Sequence, residues 1–207
     1  MRYQVRIIAG SLRRRKITVT ADPDLRPISD RAREALFSIL GDAIPDRPFY
    51  DVFAGSGAIG IEALSRGAKS AVFVERDPRA VNELIHHLET FGVAAQARVL
   101  KADAYRWADK CAVPNEPVNL FLGPPYVEFE KHMDAVIWMV GTLLRRMPPE
   151  SVLVIQSDTE IAAGEFPDPE RWDVRTYGRT RLAIYVIPPR ATDETLMKRG
   201  YAFDGSQ

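Results

Sequence analysis

The chain has one cysteine, Cys111, among its 207 residues, so neither an internal disulfide nor a cysteine-based zinc site can form. That usage fits a reducing compartment. Net charge is also missing, because Lys plus Arg and Asp plus Glu both number 28; global electrostatics therefore neither announces nor excludes a polyanionic partner. Long apolar runs are absent too. No segment approaches the ~20 apolar residues of a membrane span, and Met1-Arg-Tyr-Gln-Val-Arg-Ile-Ile8 lacks the stretch a signal peptide needs. His86 and His87 have no partner at metal-ligand spacing. The expectation is a cytoplasmic protein, monomeric, with neither metal nor membrane as partner.

What is present is unevenly distributed. Arg2, Arg6, Arg13, Arg14, Arg15 and Lys16 crowd the first twenty positions without an acidic residue, whereas residues 150–170 are mostly acidic. A basic end on a neutral body suggests a local surface for phosphates. The length suits one core of roughly 150 residues with an appendage. Residues 4–8 and 16–20 alternate as two strands, with Gly10 and Ser11 supplying the turn. After a Pro-punctuated link, Ser29 or Asp30 caps a helix that buries Leu36, Phe37 and Leu40, and Gly41 stops it.

From residue 49 onward short apolar runs alternate with helical patterns. Strands are expected at 49–53, 71–75, 97–100, 118–122 and 152–156, and helices at 59–66, 78–91, 104–110 and 132–147. This rhythm argues for a parallel sheet with helices on both faces. It breaks at the end, where 172–177 and 181–187 are joined without a helix and read as an antiparallel hairpin. The domains expected are a basic hairpin at 1–24, a main domain at 25–190 and a polar tail at 191–207.

Asp51-Val-Phe-Ala-Gly-Ser-Gly-Ala-Ile-Gly60 matches G-x-G-x-x-G between a strand and a helix. With Glu75 where a ribose-binding acid belongs, the loop fits a nicotinamide cofactor or another adenosine-containing one. A purely structural role for its glycines is the remaining reading. Three features favour S-adenosylmethionine. Asp51 would oppose a pyrophosphate but could accept from the α-ammonium of a methionine moiety. Asp103 follows the third strand of this series, where it could accept from an adenine amino group. The terminal hairpin is the third, since nicotinamide domains generally lack one.

Arg6-Ile-Ile-Ala-Gly10, Leu25-Arg-Pro-Ile-Ser-Asp-Arg-Ala-Arg-Glu-Ala-Leu-Phe37, the glycine loop, Glu62-Ala-Leu-Ser-Arg-Gly-Ala68 and Pro124-Pro-Tyr126 together resemble the bacterial 16S rRNA guanine-N2 methyltransferase family RsmD. The likeness runs from about residue 5 to 188. It implies a seven-stranded Rossmann-like, S-adenosylmethionine-dependent α/β methyltransferase fold with an N-terminal β-hairpin extension. It also implies cofactor contacts from Asp51, Phe53, Ala54, Gly55, Ser56, Gly57, Glu75, Arg76, Asp103 and Ala104. Contacts to 16S rRNA or the small ribosomal subunit would come from Arg6, Arg13, Arg14, Arg15, Lys16, Arg26, Asp30 and Arg31. Relatives often have Gly at the position of Arg14.

The catalytic segment is Gly123-Pro124-Pro125-Tyr126. Guanine N2 is a poor nucleophile because its lone pair is delocalised into the ring, so a site must localise that pair with hydrogen-bond acceptors. In similar motifs these are an Asp or Asn side chain and the carbonyl of the first proline, with an aromatic ring stacked on the base. Gly123 stands where the Asp or Asn is expected, and losing such a partner costs ~3–4 kcal/mol of transition-state stabilisation. Asn119, about 13 Å upstream, is too far to replace it, leaving Asp30 or Glu128 as candidates from other elements. The expected activity is methyl transfer to guanine N2 in 16S rRNA. The rivals are a weak or inactive homologue serving as an assembly factor, an adenine-N6 methyltransferase and, last, a nicotinamide oxidoreductase.

Overall fold

The computed structural model describes residues 2–20, 28–112, 114–158 and 163–189. Arg26 and the expected C-terminal tail lie outside them. Nine strands and six α-helices follow in order among the described residues. β1 (Arg2–Arg6) and β2 (Lys16–Thr20) form a two-stranded antiparallel sheet. α1 (Asp30–Leu40) begins at Ser29, whose hydroxyl accepts from the Ala32 N–H, and ends at Gly41, as the capping residues require.

Alternation then runs through β3 (Pro48–Val52), α2 (Ala58–Ser65), β4 (Ser70–Glu75), α3 (Pro78–Phe91), β5 (Ala97–Lys101), α4 (Ala104–Lys110) and β6 (Asn119–Leu122). It continues with α5 (Tyr126–Lys131), α6 (Met133–Arg146) and β7 (Val152–Ser157) before the closing hairpin of β8 (Asp173–Tyr177) and β9 (Thr180–Val186). The seven strands from β3 onward order as β5-β4-β3-β6-β7-β9-β8, with β9 antiparallel to β7 and to β8 and the rest parallel. α5 has no counterpart in the sequence pattern, because its six residues follow two prolines and read as a loop.

Strand residues alternate between two cores. Phe49, Phe73, Phe121, Val154 and Leu182 face α1, α2 and α3, while Val52, Val74, Leu120, Ile155 and Ala183 face α4 and α6. Val5, Ile7, Ile17 and Val19 of the N-terminal hairpin are buried in the first of these cores. The hairpin is thus packed onto the α/β body through its own apolar face.

Its connection is longer than a tight turn. The ladder ends at Arg6 and Lys16, and the Ile8 and Ala9 N–H groups turn away to donate to the buried Glu62 carboxylate at 2.7 and 3.0 Å. Gly10 sits at φ 81°, and a Cβ there would lie 1.7 Å from the Ser65 carbonyl oxygen, so the position requires glycine on both counts. Arg14 adopts φ 72°, the left-handed conformation that glycine tolerates and other residues adopt at a cost. Arg14→Gly should therefore stabilise the protein by about 1 kcal/mol, read as a rise in the urea midpoint at constant slope. An unchanged or lower midpoint would mean that Arg14 makes compensating contacts.

Candidate active site

The chain leaves β3 toward β4 and β5 on one side and returns to β6 on the other, so the crevice between the carboxyl ends of β3 and β6 is the switch point of the sheet. Ligands of open α/β sheets bind there. Two adjoining cavities open at this place, of about 650 and 110 Å³, and Phe53, Gly55 and Ser56 line both. The larger has the volume of a nucleoside-sized ligand site.

The loop after β3 is held tightly. Phe53 has φ 65°, an unusual conformation for an aromatic residue. Its N–H and that of Ala54 both donate to the Val74 carbonyl at 3.0 Å, and its ring meets Tyr105 edge-on. The three glycines divide by role. A Cβ on Gly57 would come within 2.2 Å of Leu84, and one on Gly60 within 2.3 Å of the Phe73 ring, so both serve close packing. A Cβ on Gly55 would meet nothing within 4 Å, since that residue borders open space in the cleft. Gly57, expected to touch cofactor, lines neither cavity, and the side of it where a Cβ would stand is turned to Leu84 of α3.

Two acids shape the cleft. Asp51 is buried and accepts from the Gly60 N–H at 2.8 Å. Burial raises its pKa to about 7, opposed by the Gly60 hydrogen bond and assisted by the nearby Glu75 charge. Glu75 bridges two segments, with one oxygen accepting from Gly55 N–H and the other from Asp77 N–H, each at 2.8 Å. Arg76, Ala102 and Ala104 line the larger cavity beside it. Asp103 is not on either wall; it caps α4 by accepting from the Arg106 N–H at 3.0 Å.

Arg33 was not singled out by any motif. Its side chain is fully buried at the wall of the smaller cavity. One terminal nitrogen, Nη2, donates to Asp30 at 2.9 Å and to the Arg6 carbonyl, but the buried Nε and Nη1 have no hydrogen-bond partner among the described residues. Burial pushes its pKa down, against the nearby charges of Glu62 and Asp30.

After β6, Gly123 donates its N–H to Val52 O at 3.1 Å and lines the smaller cavity, while Pro125 and Val127 line the larger. Tyr126, exposed between those two wall residues, donates to Glu130 one turn on. Buried Glu128 accepts from Tyr105 OH at 2.8 Å, fastening α5 to α4 and thereby fixing the two prolines; burial and this bond raise the Tyr105 pKa. Neither acceptor considered for Gly123 lines its cavity. Glu128 is committed to Tyr105, and Asp30 pairs with Arg6 and Arg33. Asn119 is remote as well, donating to the Ala43 carbonyl.

The basic residues are exposed, yet two carry structural contacts. Arg15 donates to Thr90 O at 2.9 Å and lies 4.5 Å from the centre of the Phe91 ring. Arg6 pairs with Asp30 at 3.2 Å. Arg13, Arg14, Lys16 and Arg31 are exposed on the same part of the molecule. Among the described residues no three His, Cys, Asp or Glu side chains converge as metal ligands would, and no helix is long and apolar enough to cross a membrane.

A seven-stranded sheet of this order, with its glycine loop and acids around the switch point, defines the Rossmann-like methyltransferase fold. The family profile described as Conserved hypothetical protein 95 matches residues 5–186, and the chain belongs to this family, the RsmD family that its motifs resemble. YlbH of Bacillus subtilis, provisionally named an rRNA methyltransferase, is 32% identical over 183 residues, covering 87% of this chain and 98% of that protein. Ribosomal RNA small subunit methyltransferase D of Haemophilus influenzae is 31% identical over 187 residues, 88% of this chain and 92% of its own. The solved structure of YhhF from Escherichia coli superimposes with a TM-score of 0.74 at 31% identity, covering 91% of this chain and all of that one.

Proposed function

We propose that this protein transfers a methyl group from S-adenosylmethionine to the exocyclic N2 amine of a guanine in 16S rRNA of the small ribosomal subunit. The observation that carries the reading is that one cavity is lined both by Asp51, with its buried carboxyl, and by Arg33, whose buried Nε and Nη1 have no hydrogen-bond partner among the described residues. A free amino acid end has an ammonium and a carboxylate, and these two groups are its complement. The adjoining 650 Å³ cavity suits the nucleoside end, with Glu75 keeping lone pairs for ribose hydroxyls beyond its two backbone bonds. The membership of the chain in the RsmD family, and the name of its H. influenzae relative, support rRNA as the substrate class.

The cofactor supplies an electrophilic methyl on its sulfonium. The protein's part is to hold and orient. Asp51 and Arg33 fix the methionine end, and Gly55, bare on its cleft side, lets the loop backbone approach the ligand. Glu75 and Arg76 hold the nucleoside end, while Ala104 borders the base and Asp103 stiffens that wall as the cap of α4. Pro124 offers its carbonyl to the target amine, and the consecutive prolines keep N–H donors away from that acceptor. Tyr126, exposed on the rim, presents its ring face for stacking on the flipped-out base. Arg13, Arg14, Lys16 and Arg31 grip phosphates, and hairpin and body act as one unit because they share a core.

Transfer of labelled methyl to small subunits lacking the modification, compared with naked 16S rRNA, tests this reading. Incorporation into RNA is expected. Tight binding of S-adenosylhomocysteine without incorporation into either substrate would contradict it and leave a binding role.

A further inference from the structure

Gly123 leaves the target amine one acceptor short, and the fold places a side chain beside that gap. β6 and β7 are parallel, with Leu122 opposite Ile155, so the next residues along the two strands, Gly123 and Gln156, are neighbours about 4.8 Å apart. Alternation puts both on one face. Phe121 and Val154 lie in the same core, and the residues two further on, Gly123 and Gln156, line the same 110 Å³ cavity as Asp51. Gln156 is half-buried and makes no side-chain hydrogen bond among the described residues.

The other polar side chains on that wall are committed or placed elsewhere. Asp51 accepts from Gly60, Thr20 is bonded to Glu83, and Arg33 can only donate. Ser56 belongs to the glycine loop and Tyr3 to the N-terminal hairpin, neither of them on β6 or its neighbour β7. A side chain on Gly123 itself would begin 3.0 Å from the Phe121 ring, a tight but not forbidden contact, and the backbone there is not left-handed. The glycine therefore keeps open the space that a longer side chain from the next strand can enter.

We propose that Gln156 supplies the second acceptor, its amide oxygen taking a hydrogen bond from the exocyclic amine that the Pro124 carbonyl also binds. The proposal rests on the methyltransferase reading above. Gln is one methylene longer than Asn and starts one strand over, which suits an amide reaching across the bare glycine. A neutral amide oxygen localises the amine lone pair as an Asn would, and the released proton leaves to solvent after methyl transfer.

Single-turnover transfer into unmethylated small subunits, with the S-adenosylhomocysteine dissociation constant and thermal midpoint of each protein, separates the possibilities. Gln156→Ala should lower the transfer rate about a hundredfold, leave the dissociation constant within about twofold and leave the midpoint near that of the parent. Gln156→Glu, which keeps the acceptor, should retain most of the rate. Adding Gly123→Asp to Gln156→Ala should restore at least about tenfold, because the acceptor returns from the neighbouring strand. An active parent with an unchanged Gln156→Ala rate would overturn the proposal and leave the methyltransferase reading standing. Loss of S-adenosylhomocysteine binding in Gln156→Ala would make it a cofactor residue and overturn the proposal equally. An inactive parent that becomes active with Gly123→Asp would show that nothing stands in for the missing group. Inactivity of both would bring down the proposal together with the reading it rests on.

Discussion

Asp51→Asn should weaken S-adenosylhomocysteine binding by about 2–4 kcal/mol, roughly thirty- to a thousandfold, while stabilising the ligand-free protein above neutral pH. Asn keeps an oxygen for the Gly60 N–H, so the loop geometry survives, but it brings no charge to meet an ammonium. The stability change follows from linkage. The carboxyl has a pKa near 7 in the folded chain against 3.8 ordinarily, so between those values the folded state holds a proton that the unfolded state has released. The contribution of this group is fully present below the unfolded value and is lost as pH rises through 7. Asp51→Asn removes that loss, which is on the order of a few kcal/mol. Binding has the opposite dependence, because an ammonium ligand needs the carboxylate. Affinity should fall roughly tenfold per pH unit below about 7 in the parent and be flat in the variant, as calorimetric titrations can measure. Equal affinity for parent and variant would show that Asp51 does not face the ligand's amino group.

Glu62→Ala should unfold the junction between hairpin and body at a cost of about 3–5 kcal/mol. The carboxylate is fully buried and accepts from Ile8 N–H, Ala9 N–H and Arg66 Nε at 2.7, 3.0 and 2.9 Å. Removing it strands two backbone donors and a cation. Ser65 completes the junction, its hydroxyl accepting from Leu12 N–H at 2.9 Å and donating to Ala9 O. Tyr3, Val5, Val19 and Thr20 form part of the cleft wall, so the variant should lose ligand affinity together with stability. Denaturant unfolding and hydrogen exchange at Ile8 and Ala9 check both effects. A loss below about 1 kcal/mol with full protection retained would mean that the core side chains alone dock the hairpin.

Elements with strong periodicity were legible in the sequence. α3 and α4 begin and end where expected, and the parallel strands with their closing antiparallel hairpin follow the alternation of apolar runs and helices. The places of Asp51 and Glu75 were readable because they stand at or next to the last residue of their strands, beside the glycine loop, and strand ends at a switch point are where ligands of such sheets sit. Contacts between distant segments were not readable. Glu62 and Ser65 lie in a helix whose sequence shows only an apolar run with two polar interruptions, and their partners are more than 50 residues away. Arg33 looked like one charge among several on α1 until the hairpin covered it. Gln156 carries no motif, and only the β6–β7 register brings it beside Gly123. Gly57 shows the reverse case, a motif glycine whose reason is packing against Leu84.

The most direct test of the account is the identity of the methylated nucleoside. Small subunits lacking the modification are incubated with the protein and S-adenosylmethionine, and the 16S rRNA is digested to nucleosides and analysed by mass spectrometry. The account predicts N2-methylguanosine. N6-methyladenosine, or methyl incorporation into protein alone, would contradict it.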